Sequence, residues 1–198
     1  SGTSTDNIYQ YSLSTAWDIS TASWDYPEGH YFSVSGQDNL PFGVFFKSDG
    51  TKMYVVGTST VYQYSLTTGF DLSTASYDSV SFAATTQDSA IEGVEFNSDG
   101  TKMYLSGTAN NSVYQYSLST AFDLSTTSYD SVSYPTAPQG SAPNGLAFSS
   151  DGTKMYITSD TANNDVGANH TIYQYATVPG VLAGKALSST SLNLSNDE

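Results

Sequence analysis

Ser48-Asp49-Gly50-Thr51-Lys52-Met53-Tyr54 is the stretch whose reading decides the fold. It returns as Ser98-Asp99-Gly100-Thr101-Lys102-Met103-Tyr104 and as Ser150-Asp151-Gly152-Thr153-Lys154-Met155-Tyr156. A short apolar run precedes each copy (Val44-Phe45-Phe46, Val94-Glu95-Phe96, Leu146-Ala147-Phe148), and each copy leads into another. Asp-Gly between two β-prone runs predicts a hairpin, because glycine adopts the positive φ that the turn needs. The aspartates are therefore read as turn residues.

A second motif interleaves with the first. It reads Ile8-Tyr9-Gln10-Tyr11-Ser12-Leu13, Val61-Tyr62-Gln63-Tyr64-Ser65-Leu66 and Val113-Tyr114-Gln115-Tyr116-Ser117-Leu118, with a short copy at Ile172-Tyr173-Gln174-Tyr175. A linker follows each full copy, with Trp17, Phe70 and Phe122 at one position and Trp24, Tyr77 and Tyr129 at another. The period is about 50 residues, in the range of propeller blades. One unit divides into strands at about 43–47, 52–57, 60–66 and 76–83, here termed A to D. Such a sheet, apolar on both faces, needs a neighbour on each side, and radial stacking satisfies all of them. The expectation is an all-β protein: a β-propeller of four-stranded antiparallel blades, about three and a quarter of them. A β-sandwich is the runner-up and a parallel β-helix the third reading.

The unit Phe–x–Ser-Asp-Gly-Thr-Lys-Met-Tyr closely resembles the blade signature of lactonase-like and YVTN-type propellers. Together with Tyr-Gln-Tyr-Ser-Leu-Ser-Thr-Ala-Trp/Phe-Asp it also looks like tandem repeats of tail-fibre-like proteins of marine phages and bacterial surface proteins. The likeness covers residues 1–176, with units at 1–34 (partial), 35–83, 84–134 and 135–176; residues 177–198 read as a tail or extension. Its aspartate-glycine turn is not the Asp-box of sialidases, so sialidase chemistry is not implied.

Composition narrows the function. Among 198 residues, nineteen acids stand against five bases, all lysines, for a net charge of −14. A nucleic-acid ligand needs cations to displace its counterions, so none is expected. Membrane insertion is not expected either, since no apolar run reaches the roughly 20 residues of a span. With no cysteine there is no disulfide and no thiolate site.

The chemistry-bearing residues are sparse. His30 and His170 show no ligand spacing, and no nucleophile elbow is present. The pairs Asp18/Asp25, Asp71/Asp78 and Asp123/Asp130 recur in every linker, which fits turn capping better than a catalytic pair. Lys52, Lys102 and Lys154 are expected to lay their stems over aromatics and keep their ammonium groups in water. Binding residues are expected in the D–A and B–C connections, which share one rim: Gln37, Asp38, Asn39, Gln87, Asp88, Asn110, Asn111 and Gln139. No cofactor is expected, with calcium a candidate at Asp160, Asn163 and Asp165, which offer hard oxygen ligands.

The leading functional expectation is a non-catalytic module, structural or binding a glycan or host-surface receptor, at an extracellular or virion surface. A lactonase-like propeller enzyme is the first alternative, a filament-building element the second. At the inner-strand position held by Phe45, Glu95 and Ala147, only Glu95 is ionisable, and it discriminates between the first two. The strand count further predicts that this chain does not close a ring alone. Upstream blades of a longer parent are the preferred remedy, other copies of the chain the second.

Overall fold

The computed structural model describes residues 6–24, 31–137, 140–162 and 171–176, with backbone alone at 140, 160–162 and 171–176. The first blade comprises β1 (Asn7–Tyr9), β2 (Tyr11–Leu13), β3 (Ala22–Trp24) and β4 (Tyr31–Ser33), paired as β1–β4 and β2–β3. The second is β5 (Val44–Phe46), β6 (Lys52–Val56), β7 (Thr60–Leu66) and β8 (Ala75–Ala83), joined in that order into one antiparallel sheet. The third repeats it with β9 (Ile91–Phe96), β10 (Lys102–Gly107), β11 (Ser112–Leu118) and β12 (Thr127–Pro135). β13 (Gly140–Phe148), β14 (Lys154–Ala162) and β15 (Thr171–Ala176) form the fourth. The chain is all-β and a β-propeller. Its β1–β2 and β3–β4 correspond to strands C and D of the repeat.

The Asp-Gly turns form as the sequence predicts. Gly50, Gly100 and Gly152 sit at φ +71°, +72° and +68°. Asp49 Oδ1 accepts from the Thr51 amide at 3.0 Å and its hydroxyl at 2.6 Å, and Asp99 and Asp151 bind Thr101 and Thr153 likewise. All three carboxyls lie below the usual carboxylate range. The largest cause is the Lys47 ammonium, 2.7 Å away, for Asp49, the Ser149 hydroxyl, 2.6 Å away, for Asp151, and the Thr101 hydroxyl for Asp99, and the threonine bonds add to the first two.

The turns also seat the linkers. Phe70 and Phe122 take positive φ, and their amides donate to the carbonyls of Gly50 and Gly100 at 3.1 and 3.0 Å. Their rings lie where a Cβ on either glycine would stand, so glycine is needed there for space as well as for φ.

The core lies between blades rather than within them. Ile8 and Val34 of the first blade pack with Met53, Val55 and Tyr64 of the second. Tyr54, Val56 and Val61 of the second pack with Val94, Phe96, Met103 and Tyr116 of the third. Val113 of the third packs with Met155 and Ile157 of the fourth. Alternation along strand C directs this: Tyr62, Tyr64 and Leu66 face the preceding blade, and Gln63 and Ser65 the following one.

Polar latches tie the same wedges. Gln10 Oε1 accepts from the Leu72 amide, and Gln63 Oε1 from the Leu124 amide, both at 2.9 Å. Each such amide opens a short 3-10 turn, Leu72–Thr74 or Leu124–Thr126, in the next blade. Tyr54 adds its hydroxyl to the carbonyl of Phe122 at 2.5 Å.

Candidate functional site

The predicted rim residues largely hold the rim itself together. Asp38 accepts from the amides of Leu40 and Thr58 at 2.8 and 3.3 Å. Asp88, 1% exposed, accepts from the amides of Ala90, Ala109 and Asn110 and from the Tyr114 hydroxyl, at 2.9 to 3.2 Å. Asn110 donates to the Gln87 carbonyl at 2.8 Å, and Asn111 Oδ1 accepts from the Ala142 amide at 2.6 Å. Gln37 Oε1 accepts from the Tyr64 hydroxyl at 3.2 Å, and Asn39 is exposed.

The D–A and B–C connections therefore meet, clasped by an aspartate. A side chain at Gly57 or Gly107 would collide with that carboxylate. In the fourth blade Gly140 replaces the aspartate and Ser159 replaces the glycine, and the Ser159 hydroxyl donates to the Ser141 carbonyl. Gln139, Asn163 and Asp165 lie outside the described residues, as do the side chain of Asp160, both histidines and Asp25. Among the described residues no cluster of acids or histidines could hold a metal ion.

The linker aspartates divide into two kinds, which corrects the single reading given to them. Asp18, Asp71 and Asp123 cap the 3-10 turns, each accepting from a serine amide two residues on at 2.9–3.0 Å. Asp78 and Asp130 do something else. Each sits at a β-bulge, where the register slips between Gln63 and Tyr64 or between Gln115 and Tyr116 and the following serine takes φ +58°. The bulge swings the carboxylate over strands B and C. There Asp78 accepts from Lys52 Nζ, Gln63 Nε2 and Ser65 Oγ at 3.0, 2.8 and 2.9 Å. Asp130 accepts from Lys102, Gln115 and Ser117. Burial raises both carboxyls, but the combined hydrogen bonds and the lysine outweigh it and hold them below the ordinary range. The ammonium groups of Lys52 and Lys102 are thus ion-paired, not simply hydrated as expected.

The same carboxylate fixes the amide of Gln63. With its Nε2 bound to Asp78, the Oε1 is left pointing at the Leu124 amide of the next blade. A bulge in one strand therefore orients the latch to the neighbouring sheet.

The inner-strand position separates the wedges. In the second blade Phe45 stacks on Phe96 of the third at 5.0 Å between ring centroids, beside Tyr54, which lies 4.5 Å from Phe96. In the third blade Glu95 occupies that position, opposite Tyr104 in register. Tyr104 still reaches its counterpart partner, Phe148 of the fourth blade, at 4.5 Å. Glu95 is half-buried and accepts no hydrogen bond among the described residues. Burial alone pushes its carboxyl up to about 7. On the same face, Gly93 and Ser106 follow in register, and the Ser106 hydroxyl is buried with no hydrogen-bond partner among the described residues. Sequence reading singled out Glu95; it had no means of finding Ser106, whose isolation depends on the approach of Gly93.

No protein-family model matches the chain, and no curated protein matches it. Solved structures do. A candidate 6-phosphogluconolactonase from Bacteroides fragilis superposes with a TM-score of 0.61 at 16% identity, covering 96% of this chain and 48% of its own. Another, from Bacteroides uniformis, gives 0.53 at 14% identity, covering 90% and 49%. A protein from Lactobacillus plantarum gives 0.57 at 15% identity, covering 85% and 45%. The chain spans about half the length of these structures. At such identities the likeness establishes the propeller fold, and these structures lend no support to the tail-fibre resemblance. It does correct the expectation of a chain without enzymatic activity. Two of the structures sharing this fold are described as candidate lactonases, so the lack of a Ser/His or Cys/His constellation does not argue against catalysis on it.

Proposed function

We propose that this chain belongs to a lactonase-like propeller in which Glu95 is the acid–base group. The observation that carries this reading is the replacement of a packing aromatic, Phe45, by a half-buried carboxyl that has no hydrogen-bond partner among the described residues, at the same inner-strand position. A carboxyl with a pKa near 7 is divided between its two forms at neutral pH, the condition in which a group both takes and returns a proton efficiently. As carboxylate, Glu95 removes a proton from water as the water oxygen bonds to the lactone carbonyl carbon. The ring C–O bond then breaks, Glu95 returns the proton to the departing ring oxygen, and the product is the open hydroxy acid.

Charge supports an uncharged lactone as substrate over a phosphorylated one. The chain carries −14 and has no arginine, and Lys47, Lys52 and Lys102 are each paired with an aspartate. A phosphate dianion would meet a repulsive field.

Hydrolysis of an aliphatic or sugar lactone, followed by acid release, tests the reading. The wild-type chain is expected to turn over, and Glu95→Gln to lose about 100-fold or more in kcat/KM, the scale of general-base catalysis. Absence of turnover above buffer, or equal rates for the two proteins, overturns it.

A further inference from the structure

The third blade carries a row of polar groups across strands A, B and C whose counterparts in the second blade are satisfied. Glu95 stands opposite Tyr104 in register, and Tyr104 opposite Gln115, on the face toward the fourth blade. Side chains so opposed start about 5 Å apart at Cβ. The same row in the second blade is Phe45, Tyr54 and Gln63. There the Tyr54 hydroxyl donates to the Phe122 carbonyl at 2.5 Å, and Gln63 Oε1 accepts from the Leu124 amide at 2.9 Å. That row therefore takes a carbonyl oxygen with a hydroxyl and, beside it, an N–H with an amide oxygen.

In the third blade the same two groups lack such partners. Asp130 holds Gln115 Nε2 at 2.7 Å, as Asp78 holds Gln63 Nε2, which leaves Oε1 as the free acceptor. Phe148 lies 4.5 Å from the Tyr104 ring, as Phe96 does from Tyr54. Among the described residues neither the Tyr104 hydroxyl nor Gln115 Oε1 has a hydrogen-bond partner, and both residues are only partly buried.

Resting on the lactonase reading above, we propose that Tyr104 is a second catalytic residue of that site and Gln115 its specificity residue. The Tyr104 hydroxyl donates to the lactone carbonyl oxygen, and Gln115 Oε1 accepts from an amide N–H on the carbon beside that carbonyl. The substrate class is an acylamino lactone. As water bonds to the carbonyl carbon, the carbonyl oxygen takes up negative charge, and the Tyr104 hydroxyl stabilises it there without giving up its proton. Burial, with the charges of Asp130 and Asp99, raises the pKa of Tyr104, so its hydroxyl stays a donor across the range in which Glu95 titrates.

Hydrolysis of α-acetamido-γ-butyrolactone by variants that each lose one hydroxyl tests this. Tyr104→Phe keeps the ring against Phe148 and is expected to lose about 100-fold in kcat, the scale of one oxyanion donor. Its KM and melting temperature stay near wild type, and the pH inflection of Glu95 is retained. Tyr54→Phe is expected to do the reverse: it breaks a latch, lowers the melting temperature and leaves kcat unchanged. The acetoxy lactone, with oxygen in place of the N–H, is expected to lose about 10-fold in kcat/KM, and Gln115→Met to remove that preference. Calorimetric binding of α-acetamido-γ-butyrolactam, which is not opened, separates this proposal from the reading it rests on. Binding that Tyr104→Phe weakens about 10-fold, in a chain that turns over no lactone, upholds the row and overturns only the lactonase reading. Turnover that depends on Glu95 but not on Tyr104 overturns the proposal and leaves that reading standing. A kcat loss in Tyr104→Phe matched by an equal loss in Tyr54→Phe also overturns it. A chain that neither binds the lactam nor opens the lactone overturns both.

Discussion

The wedge between the second and third blades and the wedge between the third and fourth are built on one plan and differ at two inner positions, where Phe45 and Val56 give way to Glu95 and Ser106. In the first, Phe45, Tyr54, Phe96 and Phe122 form a continuous aromatic cluster, the last two 5.6 Å apart. In the second, Tyr104 and Phe148 keep their contact, but Glu95 stands in the place of Phe45, and Ser106 adds a hydroxyl with no hydrogen-bond partner among the described residues. Burying a polar group without a partner costs free energy that a packing site has no reason to bear. The contrast teaches that repeated architecture frees individual positions. The aromatic wedge holds the blades, and its neighbour gives up packing for a titratable group.

The largest expected effect comes from breaking the aromatic wedge. Phe96→Ala should destabilise by about 3–5 kcal/mol, the usual cost of emptying a buried phenylalanine site. Phe148→Ala, in the polar wedge, should cost roughly half as much, because its site is less buried and less aromatic. Urea unfolding of the two variants measures the difference. Equal losses would mean that the two wedges pack alike.

Next comes the bulge carboxylate. Asp130→Ala leaves Lys102 without its ion partner and frees Gln115, and a loss of about 2–3 kcal/mol is expected once solvent access is allowed for. Asp130 has a depressed folded pKa, so its contribution is present above the ordinary carboxyl range and lost as pH falls through the folded value. Acid unfolding of the variant should therefore start from lower stability and show a shallower pH slope below pH 4. An unchanged slope would remove the latch from the account.

Smaller effects follow at Glu95. Its folded pKa of about 7 lies above its ordinary value of 4.5. Between those values the folded chain retains a proton that the unfolded chain has released, so stability falls as pH rises from about 4.5 to about 7. The group is only half-buried, which reduces the loss to about 1 kcal/mol. Glu95→Gln should flatten that part of the stability–pH curve. Glu95→Phe, which restores the ring of the neighbouring wedge, should stabilise at neutral pH by about 1 kcal/mol. A destabilised Glu95→Phe would show that the wedge has no room for the ring.

Much of the fold was legible because the chain repeats itself. Asp-Gly marked each A–B hairpin, and the tyrosine alternation marked which face of strand C meets the preceding blade. The division of labour among the aspartates was not legible. Asp71 and Asp78 stand in similar serine-rich surroundings, yet one caps a turn and the other is carried by a bulge to Lys52, 26 residues away in sequence. Only the register of three strands brings those groups together. The rim was read as a binding surface from the loss of repetition; that Asp38, Asp88 and Asn111 also accept from loop amides was not legible, because a sequence does not display those amides as donors. Glu95 was visible as the sole ionisable residue of its inner-strand position. Its titration was not, because that depends on what surrounds the carboxyl.

The central claim is that Glu95 titrates near neutrality and that its proton transfer drives lactone opening. The pH dependence of kcat/KM for an uncharged lactone, with wild type and Glu95→Gln side by side, tests it most directly. The account predicts a wild-type rate that rises through an inflection near pH 7 as the carboxylate forms, and a variant whose residual rate lacks that inflection. An inflection near pH 4.5, or a Glu95→Gln profile that matches the wild type, would contradict it.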